Sequence, residues 1–104
     1  MHFIFEVRIR SGHTAEEYAD AWVRASRIIQ RSAGARGTRL HRKIGEPGAL
    51  IAIASWDSKE ARDRADAALK EDGELRAILS EAGSHAQITI IGELEEPEWL
   101  VLPE

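Results

Sequence analysis

Three features of the sequence predict an α+β domain with the order β-α-β-β-α-β, the ferredoxin-like split βαβ pattern. Alternating apolar residues open and close the chain, two capped amphipathic stretches read as helices, and a strand pair joined by a glycine–proline turn lies between them. The organising stretch is Leu50–Ala61, LIAIASWDSKEA, where an apolar strand ends at Trp56 and a helix start follows at once.

Phe3, Phe5, Val7 and Ile9 alternate with Ile4, Glu6, Arg8 and Arg10, the period of a strand with one apolar and one mixed face. Ser11-Gly12-His13 breaks it. Thr14-Ala-Glu-Glu17 reads as a capping box, with hydroxyl and carboxylate meeting amides at the helix start. Tyr18, Ala21, Trp22, Ala25, Ile28 and Ile29 then recur at helical spacing. Acids lie early and bases late, which suits the helix dipole. Gly34 is the expected stop.

Thr38–Ile44 reads as the second strand, Gly45-Glu-Pro-Gly48 as a turn and Leu50–Trp56 as the third strand. Ile51 and Ile53 occupy one face of the third strand and Leu50, Ala52, Ala54 and Trp56 the other. Both faces are apolar, so both need cover. The helices supply one cover, and a second copy of the chain is the expected other. Asp57-Ser-Lys-Glu60 reads as a second capping box, opening a helix to about Lys70 with Ala61, Ala65, Ala68 and Leu69 inward. Asp72-Gly73 interrupts it. Leu75, Ile78, Leu79 and Ala82 make a short helical piece that Gly83 ends. His85–Leu94 is the last strand, with Ala86, Ile88, Ile90 and Leu94 on one face. Right-handed crossovers place the last strand beside the first and the second beside the third.

The 104 residues suit one domain. With 43% apolar and 31% charged residues the composition is that of a soluble globular protein. The net charge of −4 argues against nucleic acid as a partner. The basic cluster Arg36, Arg39, Arg42 and Lys43 reads as a solvated or interface strand face. There is no cysteine, hence no disulfide framework and no thiolate metal site. No apolar run is long enough for a membrane span, and strand residues begin at Phe3, leaving no room for a signal peptide. A cytoplasmic location is the expectation. Residues 1–96 form the domain. The tail 97–104 carries Trp99-Leu-Val-Leu102 between two prolines and is expected to dock on the partner subunit.

A charged–apolar first strand, a glycine, a helix holding Glu, Tyr and Trp, then Gly37-Thr-Arg-Leu-His-Arg42 and an apolar strand ending in Trp-Asp-Ser-Lys-Glu-Ala61 form a recognisable series. Over roughly residues 3 to 94 it resembles the antibiotic biosynthesis monooxygenase-like group of the dimeric α/β-barrel superfamily. The resemblance implies a homodimer whose sheets pack face to face into one barrel. It also implies a pocket in each subunit between sheet and helices, and oxidation of a small aromatic or polyketide-type molecule by O2 without a cofactor. A deprotonated phenol or anthrone is electron-rich enough to reduce oxygen itself. The protein then excludes water, orients the ring and handles protons. Haem degradation is not implied: where haem-degrading relatives carry Asn on the first strand this chain has Val7, and Ala61–Glu81 holds neither Trp nor His. Many monooxygenase-like members carry a His about nine residues after the Trp of this segment; here that position is Ala65. A non-catalytic small-molecule-binding or stress-related dimer is the alternative.

Tyr18 and Trp22, one turn apart, either wall an aromatic pocket or pack as core. Trp56 has the same two readings, and its indole N–H wants a partner. His41 and His85 are the candidate proton carriers, since histidine titrates near neutrality; each reads equally as an edge or interface residue. The strand order puts them on opposite edges of one sheet. His2 and His13 look terminal and loop-borne, and the four histidines show no metal-ligand spacing, so no metal is expected.

Overall fold

The computed structural model describes residues 1–104. The elements are β1 (His2–Ile9), α1 (Ala15–Ile29), β2 (Ala35–Lys43), β3 (Glu46–Trp56), α2 (Lys59–Leu69), α3 (Gly73–His85) and β4 (Ala86–Leu94). They form one antiparallel sheet of order β2-β3-β1-β4 with all three helices on one face, the ferredoxin-like arrangement. No helix is long and apolar enough to cross a membrane.

Local chemistry sets most boundaries. The Thr14 hydroxyl caps α1 by accepting from the Glu17 amide at 3.1 Å. The Glu17 carboxylate is held by His13 at 3.1 Å. The Ser58 hydroxyl caps α2 by accepting from the Ala61 amide at 3.1 Å, so this helix opens one residue later than the Asp57 box implied. The Asp57 amide donates to the Gly34 carbonyl at 2.8 Å, which ties the residue before the cap to the α1–β2 turn. Gly34 lies beyond the end of α1, in the turn to β2, with φ +87°; a Cβ there would meet the Ala61 Cβ at 2.6 Å. Its absence lets the start of α2 sit down on that turn.

Four other expectations shift. The β2–β3 hairpin turns at Ile44-Gly45, with Lys43 facing Glu46 and Gly45 at φ +86°, so Pro47 and Gly48 belong to a longer β3. Asp72 caps α3, and the helix runs through Gly83, which sits in open space, to His85. His85 therefore ends a helix rather than opening the last strand. Ala68 is exposed, whereas Ala61 and Ala65 are buried and Leu69 is partly buried against the core. Ile4 pairs with Gly92 and Phe5 with Ile90, so Ile91 is the extra residue of a bulge. Beyond it the faces exchange, and Leu94 pairs with His2 on the helix-free side.

The core lies between sheet and helices. Val7 and Leu50 from adjacent strands meet Tyr18, Ala21, Ala25 and Ile28 of α1 and Leu75, Ile78 and Ala82 of α3. The alanines at i, i+4 on α1 let α3 approach closely. The two helices run antiparallel, with Arg24 of α1 bonded to Glu81 of α3.

Candidate functional site

A cavity of about 170 Å³ opens between the helices and the sheet. Phe3 and Phe5 of β1 form its floor with Thr38 of β2 and Ala54 and Trp56 of β3. α1 supplies one wall through Tyr18, Trp22, Ala25, Ser26, Ile29 and Gln30. Leu79 and Ala82 of α3, and Arg62 and Asp66 of α2, complete it. Strand alternation explains the floor: Phe3, Phe5, Ala54 and Trp56 share the helix-facing side, and Phe3 pairs with Ala54. The space exists because Ala54 stands between aromatic neighbours and is too small to fill it.

The aromatic residues singled out from sequence, Tyr18, Trp22 and Trp56, all line this cavity. Tyr18 is 3% exposed and Trp56 4%. Burial pushes the Tyr18 phenol up to about 12, so it stays protonated at neutral pH and is available as a donor. Phe3 and Phe5 pack with ring centroids 5.8 Å apart.

The charged element of the wall was not visible in the sequence. The Arg62 guanidinium carbon lies 3.8 Å from the centroid of the Phe3 ring, a cation–π geometry. Its side chain is 19% exposed, and Asp66 at 3.5 Å and Glu93 at 3.7 Å hold it in place. Arg62 follows the buried Ala61 and precedes Asp66 by four residues, a helical pairing that signals a shared face. Only the tertiary packing of α2 over Phe3 turns that face toward a cavity. Gln30 braces the rim, its Oε1 accepting from the Gly37 amide at 2.7 Å.

Neither candidate proton carrier lines the cavity. His41 pairs with Ile51 on the opposite, helix-free face of the sheet and is exposed. The alternation that puts Leu40 toward the helices turns His41 away from them. His85, at the end of α3, stacks on His13 with centroids 4.7 Å apart and planes 24° apart. His41 and His85 remain on separate sides of the fold, and the polar groups facing the cavity are Tyr18, Ser26, Gln30, Thr38, Arg62 and Asp66.

Residues 1–68 match the family model for antibiotic biosynthesis monooxygenase. The chain belongs to that family. The matched segment includes β1, α1, the β2–β3 hairpin and most of α2, hence every cavity residue except those of α3. Nothing among the curated proteins matches the chain. Among solved structures, SnoaB, a cofactor-independent oxygenase from Streptomyces nogalater, superposes with a TM-score of 0.70 at 15% identity, covering 99% of this chain and 96% of its own. A protein of Caulobacter crescentus CB15, described as a candidate antibiotic biosynthesis monooxygenase, gives 0.67 at 13% identity over 90% and 89% of the two chains. A conserved protein from Methanosarcina mazei Go1 gives 0.67 at 9% identity, covering 89% of this chain and 91% of that one. At such identities these likenesses establish the fold alone.

Proposed function

We propose that this monooxygenase-family chain oxidises a compact aromatic or polyketide-type molecule with O2 in the cavity between helices and sheet, without a cofactor. The observation that carries the proposal is the cavity's composition: aromatic and aliphatic walls, one protonated phenol and one guanidinium. A planar ring slides between Trp22, Trp56 and Phe5. Tyr18 donates to a ring oxygen, and Arg62 offsets the negative charge of the deprotonated substrate. The electron-rich anion reduces O2. Where the reacting carbon is a ring methylene, the methylene and one molecule of O2 give a ring ketone and one molecule of water. One oxygen atom enters the product and the other leaves as water, with all four electrons from the substrate. Asp66 is the carboxylate on the cavity wall placed to receive the first proton, a role that His41 and His85 cannot fill from where they stand.

Size narrows the substrate. A cavity of about 150 Å³ admits benzene, and drug-sized ligands use about 300–1,000 Å³. The 170 Å³ here therefore suits one or two fused rings; a three-ring anthrone needs outward movement of Leu79 and Arg62. Oxygen uptake by the chelator-treated protein, measured against hydroquinones, naphthols and anthrones, tests the reading. Uptake above the spontaneous rate, highest for the one- and two-ring compounds, is the expected result. No catalysed uptake from any compound refutes it.

The second reading is a non-catalytic binding protein. It is favoured by the lack of any histidine on the cavity wall and by Ala65, buried on α2, at the position where many monooxygenase-like relatives carry one. Thermal stabilisation by these same compounds, with no oxygen consumed, selects it.

The biological unit we propose is a homodimer, in keeping with a family whose members are generally dimeric. The uncovered sheet face carries Ile4, Ile51 and Ile53, and the tail exposes Trp99, Leu100, Val101 and Leu102. A second copy covers both.

A further inference from the structure

Away from the cavity, the loop before α1 and the far end of α3 bring together three groups that the proposed oxygenation does not use. We propose that His13, Glu17 and His85 form a binding site for a divalent first-row transition ion of the zinc class. One nitrogen of each imidazole and one Glu17 oxygen all lie within 4.8 Å of one another. His13 Nδ1 and Glu17 Oε2 are 3.1 Å apart. Zinc takes N and O ligands at about 2.0–2.2 Å in a tetrahedron, which sets its ligand atoms roughly 3.3–3.5 Å from each other. The His13–Glu17 pair is already close to that spacing, and His85 needs to close by at most about 1.5 Å, within reach of a side-chain rotation.

A second observation points the same way. His85 Nδ1 is buried and has no hydrogen-bond partner, the only such side-chain atom in the chain. An orphaned buried nitrogen is unfavourable and calls for an explanation, and a metal or a metal-oriented water supplies one. Two imidazoles and one carboxylate form a donor set of the zinc, cobalt and nickel type. The carbonyl end of α3 adds partial negative charge beside His85. With three protein ligands the remaining positions face solvent, because the side chains of His13 and Glu17 are 34% and 46% exposed. The spacing of the histidines concealed this site: His13 and Glu17 are one helical turn apart, but the third donor arrives from the other end of the chain through the antiparallel packing of α1 and α3. A bound ion would clamp those two helices, which also form the cavity's α1 and α3 walls.

The test titrates Zn2+ into chelator-stripped full-length protein against a chromophoric competitor, with Co2+ absorption spectra reporting coordination. The expected result is one ion per chain at micromolar concentration and a rise in Tm with Zn2+. His85→Ala and Glu17→Gln should each weaken binding at least about tenfold. Glu17 is exposed, so its variant keeps the fold whatever His85→Ala does. His2→Ala, which removes the other histidine–carboxylate contact, at Glu96, should leave affinity unchanged. No stoichiometric binding, or binding untouched by the His85 and Glu17 changes, or binding lost with His2→Ala, overturns the proposal.

Discussion

The two faces of the sheet come from the same strands yet differ in kind. On the helix side β3 presents Leu50, Ala52, Ala54 and Trp56 to a core completed within the chain. On the other side the same strand presents Ile51 and Ile53, half-buried, beside an ion network in which Arg8 bonds Glu6 at 2.8 Å and Lys43 bonds Glu46 at 3.0 Å. Lys43 holds the Glu46 carboxyl below its usual range. One face encloses a cavity and the other is an unfinished surface. The proposed function assigns chemistry to the first face and association to the second, so substitutions one residue apart in β3 should have unrelated consequences.

The largest effect is expected from Trp56→Ala. Removing a buried tryptophan costs about 3–5 kcal/mol, so denaturant unfolding should show a midpoint shift large enough to leave the protein partly unfolded at 37 °C. A loss below about 1 kcal/mol would place Trp56 outside the core.

Next comes Tyr18, the only tyrosine, whose ionisation can be followed by ultraviolet absorbance without overlap. Its folded pKa of about 12 lies above the ordinary 10.0. The protonated form is therefore favoured by the fold: this contribution to stability is whole below pH 10 and is lost as pH rises toward 12. A gap of that size corresponds to about 2–3 kcal/mol. Tyr18→Phe should remove this part of the high-pH decline. A tyrosinate midpoint near 10 in the folded protein would contradict the burial.

A smaller change in stability is expected for Ile53→Lys on the opposite face. Intrinsic stability should change by less than about 1 kcal/mol, while sedimentation should report monomer where wild type reports dimer. If Ile53→Lys unfolds the chain and Trp56→Ala does not, the comparison between faces is reversed. The smallest effect belongs to truncation after Glu96, which removes Trp99–Leu102: the fold should be unaffected and dimer dissociation faster. A truncated protein as firmly dimeric as wild type would show that the tail contributes nothing to association.

The fold was legible because its signals are local and repeated. Period-two alternation in β1 and the 3.6 period of α1 survive in any context, the Thr14 hydroxyl marks the start of α1 chemically, and the Asp57-Ser58 pair marks that of α2 to within one residue. What the sequence concealed depended on single residues. Gly83 reads as a stop yet continues α3, since an exposed helical glycine is tolerated when its neighbours pack, as Ala82 and Ile78 do. That one turn moves His85 from a strand to a helix end. The Ile91 bulge exchanges the faces of Leu94 and Glu93, which no alternation rule reveals. The cavity was half-visible: Tyr18, Trp22 and Trp56 announce themselves as large buried aromatics, whereas Arg62 looks like any surface arginine until Phe3 is seen beneath it.

The central claim is tested most directly by oxygen uptake with Ala54→Leu beside wild type, in chelator, using the best substrate of the panel. The leucine side chain fills the space that Ala54 leaves between Phe3, Trp56 and Tyr18, on a strand otherwise unchanged. A folded dimer with turnover reduced to the spontaneous rate is the predicted result. Full turnover in a folded Ala54→Leu protein would mean that oxygenation, wherever it occurs, does not use this cavity.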